Sequence, residues 1–110
     1  VPERVAHSDA AKAFYGLVRE ILQGHLEDNA ETRELAADIA VGIHGIVDTQ
    51  AIVNWTNNMD VQNRMKTDIE DLLFSMHEEG GFELAFEEID TILDRCINAA
   101  KAHARHGSGA

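Results

Sequence analysis

The clearest helical period in the chain lies in VQNRMKTDIEDLLFSM, residues 61–76. Apolar residues recur there at intervals of three and four, the spacing of one helix face and not of a strand. The segment Asn57-Asn58 offers N-caps, Asp60 suits the positive end of a helix dipole, and Gly80-Gly81 is a stop signal. The pattern predicts a helix over about 58–78, with an apolar stripe of Val61, Met65, Ile69, Leu72, Leu73 and Met76.

Three other segments show the same periodicity. Ser8 is a good N-cap for a helix over about 9–27, and a helix over about 30–48 is apolar on two sides, as is typical of a central helix in a bundle. A last helix over about 84–105 ends in basic residues that suit its negative end. The predicted fold is all-α: a four-helix bundle-like domain over 1–106, followed by a flexible tail over 107–110.

Two glycines, Gly42 and Gly45, interrupt the second predicted helix. Each costs roughly 1 kcal/mol in helix propensity, so their presence needs a reason. One interpretation is close packing against a neighbouring helix, and the other is a local break in the helix.

The connection between the second and third helices reads TQAIVNWT, residues 49–56. Ile52, Val53 and Trp55 favour extended structure, but the segment is too short to build a sheet. We expect an extended, ordered connection whose apolar side chains fold back onto the bundle. Trp55 is either an anchor that fills the space between the second and third helices or a partly exposed contact, because Trp is enriched at interface hot spots.

Composition excludes several classes of protein. The 110 residues suffice for one domain, and the single Cys excludes a disulfide framework. The longest apolar runs fall well short of the roughly 20 residues of a membrane span. No signal-peptide pattern opens the chain, so we expect a cytoplasmic protein without membrane contact.

The charge of the chain is −11, and it is unevenly distributed. Between Asp60 and Asp94 stand eleven acidic residues against two basic ones, Arg64 and Lys66. Such a surface is a poor candidate for direct nucleic-acid binding, which needs Lys and Arg to neutralise phosphates. It is either a solvated face that aids solubility or a patch that docks a basic partner or repels DNA.

Sequence motifs for catalysis or cofactor binding are missing. There is no phosphate-binding GxxxxGK[ST] or GxGxxG, and no Glu-x-x-His or HExxH. Cys96 falls on an apolar helix face and His44 on a softer one, where both are expected to pack rather than react. His103 and His106 could share a metal, but no third ligand stands near them in the sequence. We therefore expect no catalytic residue, no cofactor and no metal in this chain.

Residues 52–65, IVNWTNNMDVQNRM, continue into IEDLLF at 69–74. This sequence resembles the extreme C-terminal helical region of the R (restriction and DNA-translocating) subunits of type I restriction-modification enzymes. The later FEEID at 86–90, followed by Ile92-Leu93, is similar to the closing helix of that region. The resemblance covers about residues 50–104. Asn54 departs from it, since the family usually has Asp before this Trp, so a role assigned to that carboxylate cannot be transferred.

The resemblance implies a larger parent with a nuclease domain and two ATPase motor domains that use ATP and Mg. It implies a non-catalytic role for this chain: docking to the methyltransferase and specificity subunits, or to the parent's own motor domains. The candidate interaction residues of this chain are Trp55, Asp60, Asn63 and Phe74. Phe74 stands one position off the main stripe, where it either widens the core face or belongs to an exposed patch. The alternative function is a free-standing acidic helical adaptor or dimerisation domain.

Overall fold

The computed structural model describes residues 2–107, and the side chains of residues 2–104. All regular structure in this range is helical, which confirms the all-α prediction. The elements are α1 (Glu3–Ala6), α2 (Asp9–Leu22), α3 (Ala30–Gln50), a 3-10 turn (Trp55–Asn57), α4 (Met59–Gly80) and α5 (Phe86–Gly107). The short α1 was not predicted, because one turn is too brief to show a period.

The four long helices form a bundle. α2 packs against α3 and α5, and α4 packs against the same two helices from the other side, while α1 lies against α2 and α3. The apolar stripes read from the sequence meet in the middle. The largest fully buried side chains are Phe14, Leu22, Ile39, Ile43, Met65, Ile69, Leu73, Ile89 and Ile92.

Side chains cap the helices where the sequence predicts. Ser8 Oγ accepts from the backbone N–H of Ala11 at 3.2 Å. Asn58, and not Asn57, caps α4, because its Oδ1 accepts from the N–H groups of Asp60 and Val61. Gly81 ends α4 in the left-handed conformation, with φ +66°, which glycine adopts at little cost because it has no Cβ.

The first long helix is shorter than predicted. α2 ends at Leu22 and not near residue 27. Arg19 and Gln23 both donate to the carboxylate of Asp28, at 2.9 and 3.4 Å, which holds the following turn against the end of the helix. Gly24, a poor helix former, lies in that turn. The residues predicted to extend the helix therefore form the link to α3.

The two glycines of α3 differ in their surroundings. α3 runs unbroken through both, so the predicted alternative of a break is wrong. A Cβ at Gly42 would lie 2.7 Å from Leu72 Cδ2 of α4, which supports close packing there. At Gly45 an added Cβ would meet nothing within 4 Å, so this glycine is not required by packing.

The other predicted boundaries need only small corrections. α3 reaches Gln50 and α4 reaches Gly80, each two residues past the predicted end. The predicted flexible tail over 107–110 lies outside the described residues, except for Gly107, which is the last residue of α5. Among the described helices, none is both long and apolar enough to cross a membrane.

Candidate docking site

Trp55 lies in the core and anchors the connection. Its side chain is 5% exposed, so the interpretation of Trp55 as an exposed partner contact is wrong. Its backbone carbonyl accepts from the side-chain amide of Gln62 at 3.2 Å, and the carbonyl of Thr56 accepts from the same nitrogen at 3.0 Å. α4 thus holds the 3-10 turn through a buried polar side chain as well as through apolar packing.

Sequence reasoning missed Gln62. It lies on the buried side of α4 near the start of the helix, three residues before Met65 and seven before Ile69. A polar residue in the middle of an apolar helix face is itself a signal, because burying an amide requires a hydrogen-bond partner. Here that partner is the backbone of the connection.

The rest of the connection faces outward, contrary to the prediction that its apolar side chains fold back. Ile52 is 57% exposed and Val53 is 87% exposed. The Trp55 N–H donates to the Ile52 carbonyl at 3.1 Å, which closes a tight turn. Asn54 takes the left-handed conformation, with φ 63°, so the chain reverses direction just before Trp55. This turn places Trp55 inside and leaves Ile52 and Val53 outside.

Met59, at the start of α4, adds a third exposed apolar side chain and is 60% exposed. We call Ile52, Val53 and Met59 the connection surface. Two hollows adjoin it. One of about 360 Å³ is lined by Val53, Met59 and Asp60, among others. The second, of about 670 Å³, lies between the connection and the ends of three helices, and its lining includes Phe14 of α2, His44, Val47 and Asp48 of α3, and His103 of α5.

The remaining predicted interaction residues share a face of α4. At 100° per residue, Asp60, Asn63, Asp71, Phe74 and Glu78 fall within about 80° of one another, and all five are exposed. We call them the α4 face. Phe74 is 43% exposed, so it does not join the core stripe. The structure therefore places Asp60, Asn63 and Phe74 on one exposed side of α4, with Phe74 about 21 Å along the helix from Asp60. Trp55 does not belong to this side, because its side chain is buried.

A hydrogen bond between two side chains joins the turn after α2 to the start of α5. His25 Nε2 lies 2.7 Å from Glu88 Oε2, and the other carboxylate oxygen of Glu88 accepts from the backbone N–H of Ala85 at 2.9 Å. The backbone hydrogen bond, followed by the contact with His25, lowers the pKa of Glu88 below its usual value. Glu88 therefore caps a helix and ties two elements together, which is a structural role.

Cys96 and a possible metal site were the two features of the sequence with reactive side chains. Cys96 is fully buried, and burial raises the pKa of its thiol to about 12, so it stays protonated and unreactive. Among the described side chains, no group of three or more His, Cys, Asp or Glu residues is placed to hold a metal. The side chain of His106, considered as a metal ligand with His103, lies outside the described residues.

The fold and site define an acidic helical bundle that exposes apolar side chains where one connection turns. In comparisons with protein-family models, with curated proteins and with solved structures, no match to the chain was found.

Proposed function

We propose that this chain is a non-catalytic docking module from the C-terminal end of the R subunit of a type I restriction-modification enzyme. One observation carries the proposal: Ile52, Val53 and Met59 are exposed together, within the stretch that resembles this family. Trp55 and Gln62 hold that stretch in a fixed shape from below. A rigid backbone that presents apolar side chains beside a hollow is what a protein interface needs at its centre.

The proposed partners are the methyltransferase and specificity subunits, or the motor domains of the parent chain. ATP and Mg binding, DNA translocation and DNA cleavage would belong to other parts of that cytoplasmic complex. The acidic charge of this chain favours a protein partner over DNA, because phosphates would be repelled and not neutralised. Docking is therefore the contribution that these residues can make to a DNA-cleaving assembly.

Capture of the methyltransferase core from the same organism tests the proposal. The wild-type chain should retain the core, and the double change Ile52→Ser with Val53→Ser should abolish retention without changing the helical content. Phe86→Ser is the matched control. Phe86 is also an exposed apolar side chain, but it lies at the start of α5, whereas the larger hollow beside the connection surface is lined by residues near the end of α5.

Three results would argue against this assignment or change the proposed partner. If the double variant is retained as well as wild type, the connection surface does not dock the core. If the wild-type chain is not retained, the proposal shifts to the motor domains, and the same three proteins are tested against them. Concentration-dependent self-association that the double change removes would favour the alternative of a free-standing dimerisation domain.

A further inference from the structure

We infer that the α4 face is a second docking surface, which binds a positively charged amphipathic helix of a partner protein. The inference does not depend on the family assignment, because it rests on the geometry and charge of α4 alone. The face runs along the exposed side of a helix of 22 residues. Its length is about 33 Å at 1.5 Å per residue, enough for a partner helix of several turns.

Phe74 supplies the apolar contact toward the C-terminal end of this face, between Asp71 and Glu78. Its ring meets the imidazole of His77 edge-on, with centroids 5.4 Å apart, and His77 meets the buried ring of Phe82 in the same way at 5.1 Å. Phe74 is thus supported from one side by a row of rings that ends in the core. A partly exposed aromatic ring already held in place loses little conformational freedom on binding, which makes it a good anchor.

Acidic side chains flank this anchor. Asp71 lies three residues before Phe74 and Glu78 four residues after it, so both are its neighbours on the helix surface. Among the described side chains, no ion pair involves Asp60, Asp71 or Glu78. Lys66 of the same helix is already paired with Asp94 of α5 at 3.1 Å. The exposed Arg64 lies four residues after Asp60 and so adjoins only the N-terminal end of the face. The charges left for a partner are therefore those of Asp71 and Glu78, on either side of Phe74.

Charge complementarity selects the occupant. A second copy of this chain would bring the same acidic face against itself in a two-fold contact, which like charges oppose. Nucleic acids and anionic membranes are repelled for the same reason. Asp71 and Glu78 are seven residues apart, or two helical turns, and a partner helix can present Lys or Arg at that spacing with an apolar residue between them for Phe74.

The test uses the full chain and a fluorescent peptide of about 20 residues, long enough to form a helix. In the peptide, Lys residues are spaced seven apart so that they share one side of a helix, with Leu residues between them on the same side. A scrambled peptide of the same composition lacks this one-sided arrangement and is the control. Binding is measured by fluorescence anisotropy at low and high salt. The protein variants are Asp71→Lys and Phe74→Ala, with Glu27→Lys as the charge-matched control and Val41→Ala as the apolar one, since both control positions are exposed and off α4.

The expected result is binding of the patterned peptide that weakens with salt, and weaker binding of the scrambled peptide. Asp71→Lys and Phe74→Ala should each weaken binding at least about fivefold, a loss typical of a central interface contact, while the two controls stay within about twofold. Circular dichroism confirms that each variant is folded. Equal binding of both peptides, or an equal loss of affinity with Glu27→Lys, would show that only net charge matters and would overturn the inference. The inference would also be overturned if the patterned peptide did not bind, or if Phe74→Ala left its affinity unchanged.

Discussion

The side-chain amide of Gln62 donates to the backbone carbonyl of Trp55 at 3.2 Å, and the side chains of both residues are buried. The same nitrogen also donates to the carbonyl of Thr56 at 3.0 Å, and the Trp55 carbonyl accepts a second hydrogen bond from the N–H of Asn58 at 2.9 Å. The contact from Gln62 links the core of the bundle to the proposed docking site, because it fixes the turn that pushes Ile52 and Val53 outward.

Gln62→Leu should lower the free energy of unfolding by about 1 kcal/mol or more, because the Thr56 carbonyl loses this donor while the Trp55 carbonyl keeps only the N–H of Asn58. Urea unfolding followed by the fluorescence of Trp55, the one Trp of the chain, measures the change. The neighbouring Asn63→Leu, at an exposed position, should change stability by less than about 0.5 kcal/mol. A Gln62→Leu protein as stable as wild type would show that the amide is not needed.

Asn54 should tolerate glycine but not a branched residue. Its left-handed backbone suits Asn and Gly, whereas a β-branched side chain there costs roughly 1–2 kcal/mol. Asn54→Gly is expected to stay within about 0.5 kcal/mol of wild type and Asn54→Val to lose more than about 1 kcal/mol. Thermal unfolding of the two variants compares them directly. Equal stability would mean that the connection does not hold this conformation in solution.

The two glycines of α3 offer a matched pair. Gly45→Ala should raise the free energy of unfolding by about 0.5–1 kcal/mol, because it improves helix propensity and the added methyl group meets open space. Gly42→Ala should gain less stability, since the added methyl group would lie 2.7 Å from Leu72 Cδ2 and would displace it. Chemical denaturation of both variants gives the order, and a larger gain at Gly42 would contradict the close packing of α3 on α4.

Glu88 should make the fold sensitive to acid. Because its pKa is lower in the folded chain than its ordinary value of 4.5, its stabilising effect is present above that value. The effect is lost as the pH falls through the lower, folded-state pKa. Glu88→Gln should therefore reduce stability at pH 7 and flatten its decline below about pH 5. Urea midpoints across pH 3–7 test this, and parallel profiles for the two proteins would contradict it. The exposed Glu83→Gln is the control.

Much of the fold was predictable because helix periodicity and caps are local signals. The α4 stripe, the caps at Ser8 and Asn58, and the stop at Gly81 all follow from neighbouring residues. The end of α2 was not predictable, because it depends on hydrogen bonds from Arg19 and Gln23 to Asp28 across a turn. The periodicity of the chain says which residues can be buried, but tertiary packing decides which of them are.

The candidate site illustrates that limit. Ile52, Val53 and Trp55 are all apolar, and nothing in their order tells which one enters the core. The outcome depends on the conformation of Asn54 and on the hydrogen bonds from Gln62, both of which require the folded bundle. By contrast, the common face of Asp60, Asn63 and Phe74 follows from spacing once α4 is predicted.

Hydrogen exchange of the chain, alone and bound to the methyltransferase core, tests the docking proposal most directly. We predict slower exchange of backbone amides over residues 51–60 in the complex, because the connection surface becomes covered while the turn keeps its shape. Residues of the turn before α3, far along the chain from this surface, serve as the internal reference. Unchanged exchange over 51–60 in a complex that demonstrably forms would contradict the claim that the connection docks the chain.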